Sequence, residues 1–152
     1  MSTKALQPSV SNLYDEDFAA WTSHTAHLLR AGRLADLDVE HLAEEVEDMG
    51  KSERREVLSR ITVLLLHLLK WKFQPRKRTG SWQSTLASQR AELSRVFEDS
   101  PSLRNVFSKS LPAVYSDAVE QAAAETGLPA EAFPDGCPFS PDQIMDRGFL
   151  PD

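Results

Sequence analysis

Arg60 and His67 stand seven residues apart, a spacing that returns to the same face of a helix after two turns. This pair falls within the loose arginine-to-histidine pattern of some all-helical RNases. A neutral imidazole would take the ribose 2′-OH proton while the guanidinium stabilised charge on the phosphate. From Lys70 to Arg78 five of nine residues are basic, and Trp71 and Trp82 flank that cluster with rings on which bases could stack. Two tryptophans near helix ends are more often the anchors of an ordinary core. A metal site is a second chemistry, since helical bundles set imidazoles and carboxylates on facing helices. His24 with His27 at i, i+3, or His67 with Glu44 or Glu45, are the available pairs. Neither supplies the repeated Glu-x-x-His of a di-iron site, and a lone His on an apolar helix is more often a hydrogen-bonded core residue, so no metal ligand set is assigned. Cys137, the single cysteine, has no basic neighbour in sequence and reads as an inert thiol. No glycine-rich phosphate loop, nucleophile elbow or zinc-protease helix is present, so no catalytic constellation and no cofactor motif is identified.

The residues that remain as a candidate functional surface are Arg60, His67, Lys70, Trp71, Glu45, Trp82 and Arg90. The reading they support is a binding or regulatory module acting through an exposed groove, a protein partner or a homo-oligomer. The alternatives are an RNA-binding or RNA-cleaving protein using Arg60, His67 and the 70–78 cluster, and a metal-binding bundle.

Positioning these side chains falls to one stretch, residues 52–74, whose sequence predicts a long helix apolar around most of its circumference and stopped by Pro75. Glu56, Arg60, Val63, His67, Lys70 and Gln74, spaced 4, 3, 4, 3 and 4, fall in one polar stripe of roughly 100°. The stripe is either a solvent-facing strip or the lining of a cleft. In a cleft, His67 is expected beside a carboxylate, Glu45, that raises its pKa.

Other helices must wrap the apolar directions. Asp15 is placed as the cap of a helix carrying Phe18, Trp21, Thr25, Leu28 and Leu29 and ended by Gly32. Asp38 caps a second helix to Met49, with Leu42, Val46 and Met49 on its apolar face and Gly50 as its stop. After the central helix, capped by Ser52, Ser81 caps a helix with Trp82, Leu86, Leu93, Val96 and Phe97 inward, and Ser100-Pro101 opens another, which Pro112 either kinks or ends. The proline-rich segment from Leu128 reads as a strap laid over the bundle. The expected fold is thus all-α, a single-domain helical bundle of about five to six helices around the central helix 52–74, with residues 1–12 as a disordered leader and 13–152 as the domain.

Length and composition agree with one globular domain: 152 residues, 41% apolar and 26% charged. Residues 1–11 show no secretory pattern and no apolar run approaches a membrane span, so the expectation is a cytoplasmic protein without a membrane partner. The net charge of −6 conceals a segregation: residues 1–50 carry 3 basic and 10 acidic groups, 51–97 carry 11 and 3, and 98–152 carry 3 and 10. Acidic arms packed on the basic middle would match this charge internally, which disfavours nucleic acid as partner. Carboxylates in the last turn of the second helix oppose its macrodipole, and basic residues downstream, from Lys70 to Arg78, are their expected partners.

Several motifs taken in order, Leu13-Tyr14-Asp15-Glu16-Asp17-Phe18-Ala19-Ala20-Trp21, Leu42-Ala43-Glu44-Glu45-Val46-Glu47-Asp48-Met49-Gly50, His67-Leu68-Leu69-Lys70-Trp71, Ser81-Trp82, Glu125-Thr126-Gly127-Leu128-Pro129 and Phe149-Leu150-Pro151, are similar to a known pattern. They resemble the bacterial family catalogued as domain of unknown function 29, over nearly the whole chain from Leu13. The resemblance implies an all-helical bundle in a bacterial cytoplasm. It implies no activity and no catalytic residue.

Overall fold

The computed structural model describes residues 10–152, with side chains from Leu13. The leader expected over residues 1–12 lies outside the described residues until α1 begins at Val10. Six α-helices and three single 3-10 turns make up the secondary structure of the described residues, and no strand occurs among them. Contacts group the chain into two compact units, residues 1–51 and 52–152.

The first unit contains α1 (Val10–Glu16), α2 (Phe18–Arg30), a 3-10 turn and the start of α3 (Val39–Phe73). Asp15 lies inside α1; the cap of α2 is Asp17, whose Oδ1 accepts the Ala20 N–H at 3.0 Å. Trp21, Thr25 and Leu28, spaced four and three apart, form the buried face of α2. The ring of Tyr14 meets those of Phe18 and Trp21 edge-on, at 5.7 and 4.9 Å between centroids. Gly32 adopts φ 71°, the left-handed conformation that lets the chain leave α2.

Helix α3 corrects the expected boundary. A second helix stopped by Gly50 and a central helix started by Ser52 are one helix of 35 residues. A break would strand unpaired N–H and C=O groups at two new helix ends. Glycine inside a helix costs only about 1 kcal/mol relative to alanine, and its neighbours Glu47, Lys51, Glu53, Arg54 and Arg55 are straight-chain residues that lose little freedom there.

In the second unit, residues 52–73 of α3 form the core element. Val57, Ile61, Leu64, Leu65, Leu68 and Leu69 have no measurable exposure. Around them pack α4 (Gly80–Asp99) through Leu86, Leu93 and Phe97, and α5 (Leu103–Thr126) through Leu103, Phe107, Val114, Tyr115, Ala118 and Ala122. Thr79, rather than Ser81, caps α4, accepting the Trp82 N–H at 3.3 Å. Ser102 stands before α5, with no side-chain cap bond, where Ser100 was the expected cap. Pro112 neither ends nor divides α5, although its missing N–H withholds the donor that Ser108 C=O would otherwise receive. Gly127, at φ 75°, closes α5 and its N–H returns to Ala123 C=O. Beyond it, Phe133, Phe139 and Ile144 enter the same core, Ile144 from the short α6 (Pro141–Met145), which a reciprocal Ser140–Gln143 capping box starts.

Leu65→Ala is expected to cost about 2–5 kcal/mol in denaturant unfolding, as other buried leucine truncations do; a loss below about 1 kcal/mol would deny α3 its central place. Gly50→Ala should act in the opposite direction. No atom stands within 4 Å of the added Cβ, so the variant should gain about 0.5–1 kcal/mol. A lowered thermal midpoint by circular dichroism would show that the helix breaks at Gly50.

Candidate functional site

The polar stripe of α3 forms a seam. His67, Lys70, Arg60 and Gln74 are half-buried rather than open to water, because side chains from α4 and α5 close over them. Arg60 donates from Nε to Glu56 at 3.0 Å and from a terminal nitrogen to Gln89 Oε1 of α4 at 3.1 Å. Lys70 Nζ donates to Glu125 of α5 at 2.8 Å and lies 4.8 Å from the centroid of Trp82 of α4. His67 Nδ1 is 2.8 Å from Val63 C=O. An acceptor there requires the proton on Nδ1, which leaves Nε2 as the basic nitrogen. Burial pushes the His67 pKa below its ordinary 6.5, and Lys70 adds to that, against the opposing effects of the Val63 carbonyl and of Glu125.

Two candidates on neighbouring positions have structural surroundings. Trp71 is buried; Arg78 donates to its carbonyl at 2.8 Å and places its guanidinium 5.0 Å from the ring centroid. Arg90 is 1% exposed. It donates to the carbonyls of Ile144 and Gln143, at 2.8 and 3.3 Å, and so pins α6 onto α4. Burial lowers its pKa, with Asp146 opposing.

Glu45 is elsewhere engaged. It stands 22 positions before His67 on the same helix, farther than any i, i+4 contact reaches, and its carboxylate accepts the Tyr14 hydroxyl at 2.5 Å. The carboxylate beside His67 is Glu125, and the expected His67–Glu45 pair gives way to these partners. Likewise Lys70 finds its acid on α5, in Glu125. The Glu45–Tyr14 bond belongs to a network that sequence reasoning missed. The Tyr14 ring stacks on His41 with centroids 3.9 Å apart, and His41 Nδ1 is 2.5 Å from Asp38, the residue that caps α3. The Asp38 hydrogen bond raises the His41 pKa against the opposing effect of burial. The same bond lowers that of Asp38, while the bond to Glu45 carries Tyr14 up to about 12. The only sequence signal was the Asp-x-x-His spacing at the helix start; the Tyr14 contact spans 31 positions between Tyr14 and Glu45.

A third feature is apolar. Leu42, Val46 and Met49 were the expected apolar face, and Val39, three positions before Leu42, continues their row. Leu42 is half-buried, but Val39 is 63%, Val46 59% and Met49 69% exposed. Phe18, Leu29 and Leu34 of the same unit are also open, whereas Leu150 is the one large apolar side chain so exposed among the described residues of 52–152.

Among the described residues, no group of three or more His, Cys, Asp or Glu side chains is placed to share a metal ion, and no helix is long and apolar enough to cross a membrane. Cys137 is half-buried and its pKa is raised by burial. The sequence profile of the domain of unknown function DUF29 matches residues 13–150. The chain belongs to the DUF29 family. No curated protein and no solved structure matches it. The DUF29 match begins in α1 and ends at Leu150, so the seam, the Tyr14 network and the apolar stripe all lie inside the family's span.

The two half-buried histidines of this DUF29 chain should titrate on opposite sides of 6.5. His41, raised, stabilises the fold fully below about pH 6.5, and its contribution is lost as pH rises through its folded pKa. His67, lowered, contributes above about pH 6.5 and its contribution is lost as pH falls through its folded pKa. NMR titration checks both: Asp38→Asn should lower the His41 pKa, Glu125→Gln should lower that of His67 further, and Glu45→Gln should leave His67 unmoved. A His67 pKa above 6.5 would contradict the burial that closes the seam.

Proposed function

We propose that this chain is a binding or regulatory module of the bacterial cytoplasm, acting on a protein partner. The observation that carries the reading is the stripe Val39, Val46 and Met49, left open on a helix whose apolar positions from Val57 onward are buried or half-buried. An exposed apolar row with a helical period and a charged border is the usual form of a surface that receives another helix.

The RNA reading draws less support. Three of its cations are engaged within the fold: Arg60 with Glu56 and Gln89, Lys70 with Glu125, and Arg78 with the Trp71 carbonyl. His67 and Arg60 lie in a seam closed by α4 and α5, where a ribose-phosphate would have to displace these bonds. The resemblance to a bacterial family supplies the setting.

Val46→Glu, on an exposed position, should leave thermal stability within about 0.5 kcal/mol of the wild type. In a strain carrying it in place of the native gene, the expression changes that follow deletion of the gene should reappear, whereas Arg60→Ala and His67→Ala should behave as wild type. The reverse pattern would move function to the seam.

A further inference from the structure

We propose that the groove between α5 and residues 130–135 receives a short extended segment of a partner protein, with an apolar side chain in the groove and a lysine or arginine beside it. The groove lies wholly within residues 52–152 and shares no residue with the α3 stripe. The inference therefore goes beyond the binding reading above and is carried by other residues.

The groove is built into the fold. Helix α5 gives one wall, and the 3-10 turn Ala130–Ala132 with the residues after it gives the other. Phe133 anchors the second wall in the core, and the Tyr115 hydroxyl donates to Pro134 C=O at 2.5 Å, which ties the two walls together. The hollow measures about 400 Å3 and its lining is mostly apolar, with Pro112, Tyr115, Val119, Ala123 and Pro134 among its members. That volume and that lining are those of a ligand cleft, with room for an aliphatic side chain.

Charge decides the sign of the occupant. Glu120 stands on one wall and Asp135 on the other, both exposed, and no lysine, arginine or histidine lines the groove among the described residues. The cause is in the sequence: from Ser110 to Asp146 there are seven carboxylates and no basic residue. Of the seven, Glu125 alone is in an ion pair among the described residues, with Lys70. An anionic occupant would be repelled from both walls. A lysine or arginine lays its stem along the apolar lining and brings its charge to the carboxylates. A bare metal cation would leave the apolar lining unused.

Length favours a chain over a small organic cation. Glu120 also lines a second hollow, of about 390 Å3, with Thr62, Asp117 and Ala124, so the depression continues along α5 and stays acidic. From Pro112 to Ala124 the helix advances roughly 18 Å at 1.5 Å per residue. About five or six residues of extended chain cover that distance, and their alternate side chains point to the same face.

The test begins with random heptapeptides displayed on phage and selected on the intact chain. Enriched sequences should carry lysine or arginine next to an aliphatic residue or proline. One such peptide, labelled with a fluorophore, should bind in fluorescence anisotropy with an affinity that falls as salt is added. Glu120→Gln with Asp135→Asn should weaken it about tenfold. Ala130→Trp, at an exposed position on the rim, should block it by filling the groove, and both variants should keep the wild-type circular dichroism spectrum. Glu98→Gln, an exposed carboxylate of α4 outside the groove, should leave binding unchanged. Spermidine should compete far less well than unlabelled peptide; equal competition would make this a polyamine site and overturn the peptide assignment. Enrichment of acidic or uncharged sequences, no enrichment at all, or binding that survives both groove variants would overturn the proposal. None of these measurements involves Val46, so failure here leaves the reading of the α3 stripe to its own experiment.

Discussion

Everything in residues 52–152 follows from the need to cover one helix on nearly all sides. From Val57 to Leu69, α3 presents apolar side chains around most of its circumference, and no arrangement leaves such a segment in water. Helices α4 and α5 supply part of the cover. The remainder comes from Phe133, Phe139 and Ile144, on a segment with little regular structure of its own. That segment is held by Arg90, a guanidinium buried for the sake of two backbone carbonyls. Buried carbonyls need donors, and arginine's fixed fork reaches two successive ones from a single helix position.

The same demand shapes the polar stripe. A helix wrapped by neighbours cannot leave a wide polar face open, so the stripe is closed by residues that satisfy it: Gln89 for Arg60, Glu125 and the Trp82 ring for Lys70, and the helix's own Val63 carbonyl for His67. Groups with the chemistry to bind phosphate are thereby turned inward to one another. Their opposite number is the network at the start of α3. There Asp38 serves both as helix cap and as partner of His41, and Tyr14 bridges α1 to α3 through a ring face and a hydroxyl. One histidine is thus held toward its charged form and the other toward its neutral form by neighbours of different kinds.

Where α3 has no such neighbours its apolar residues stay exposed. The residues from Val39 to Met49 carry a helical apolar period as clear as that of the core segment, yet the outcome differs. Periodicity states which residues share a face; it does not say what will cover that face.

The sequence by itself determined the all-helical class, the central place of residues 57–69, the stop at Pro75 and the cap at Asp38, because these depend on propensity, capping and hydrophobic period within a few residues. It also grouped Arg60, His67 and Lys70 on one face, which helix geometry alone requires. Tertiary structure decided the rest. Gly50 reads locally as a stop, yet the helix runs through it, since a small propensity cost is outweighed by backbone hydrogen bonds on both sides. Asp17 rather than Asp15, and Thr79 rather than Ser81, became caps, a choice among adjacent candidates that local signals rank almost equally. The partners of His67, Lys70 and Glu45 were beyond reach of any local rule: Glu125 lies 55 positions from Lys70, and Tyr14 lies 31 from Glu45. Contacts at such separations are fixed by how helices pack, and packing is set by the shapes of whole faces rather than by the residues that end up touching.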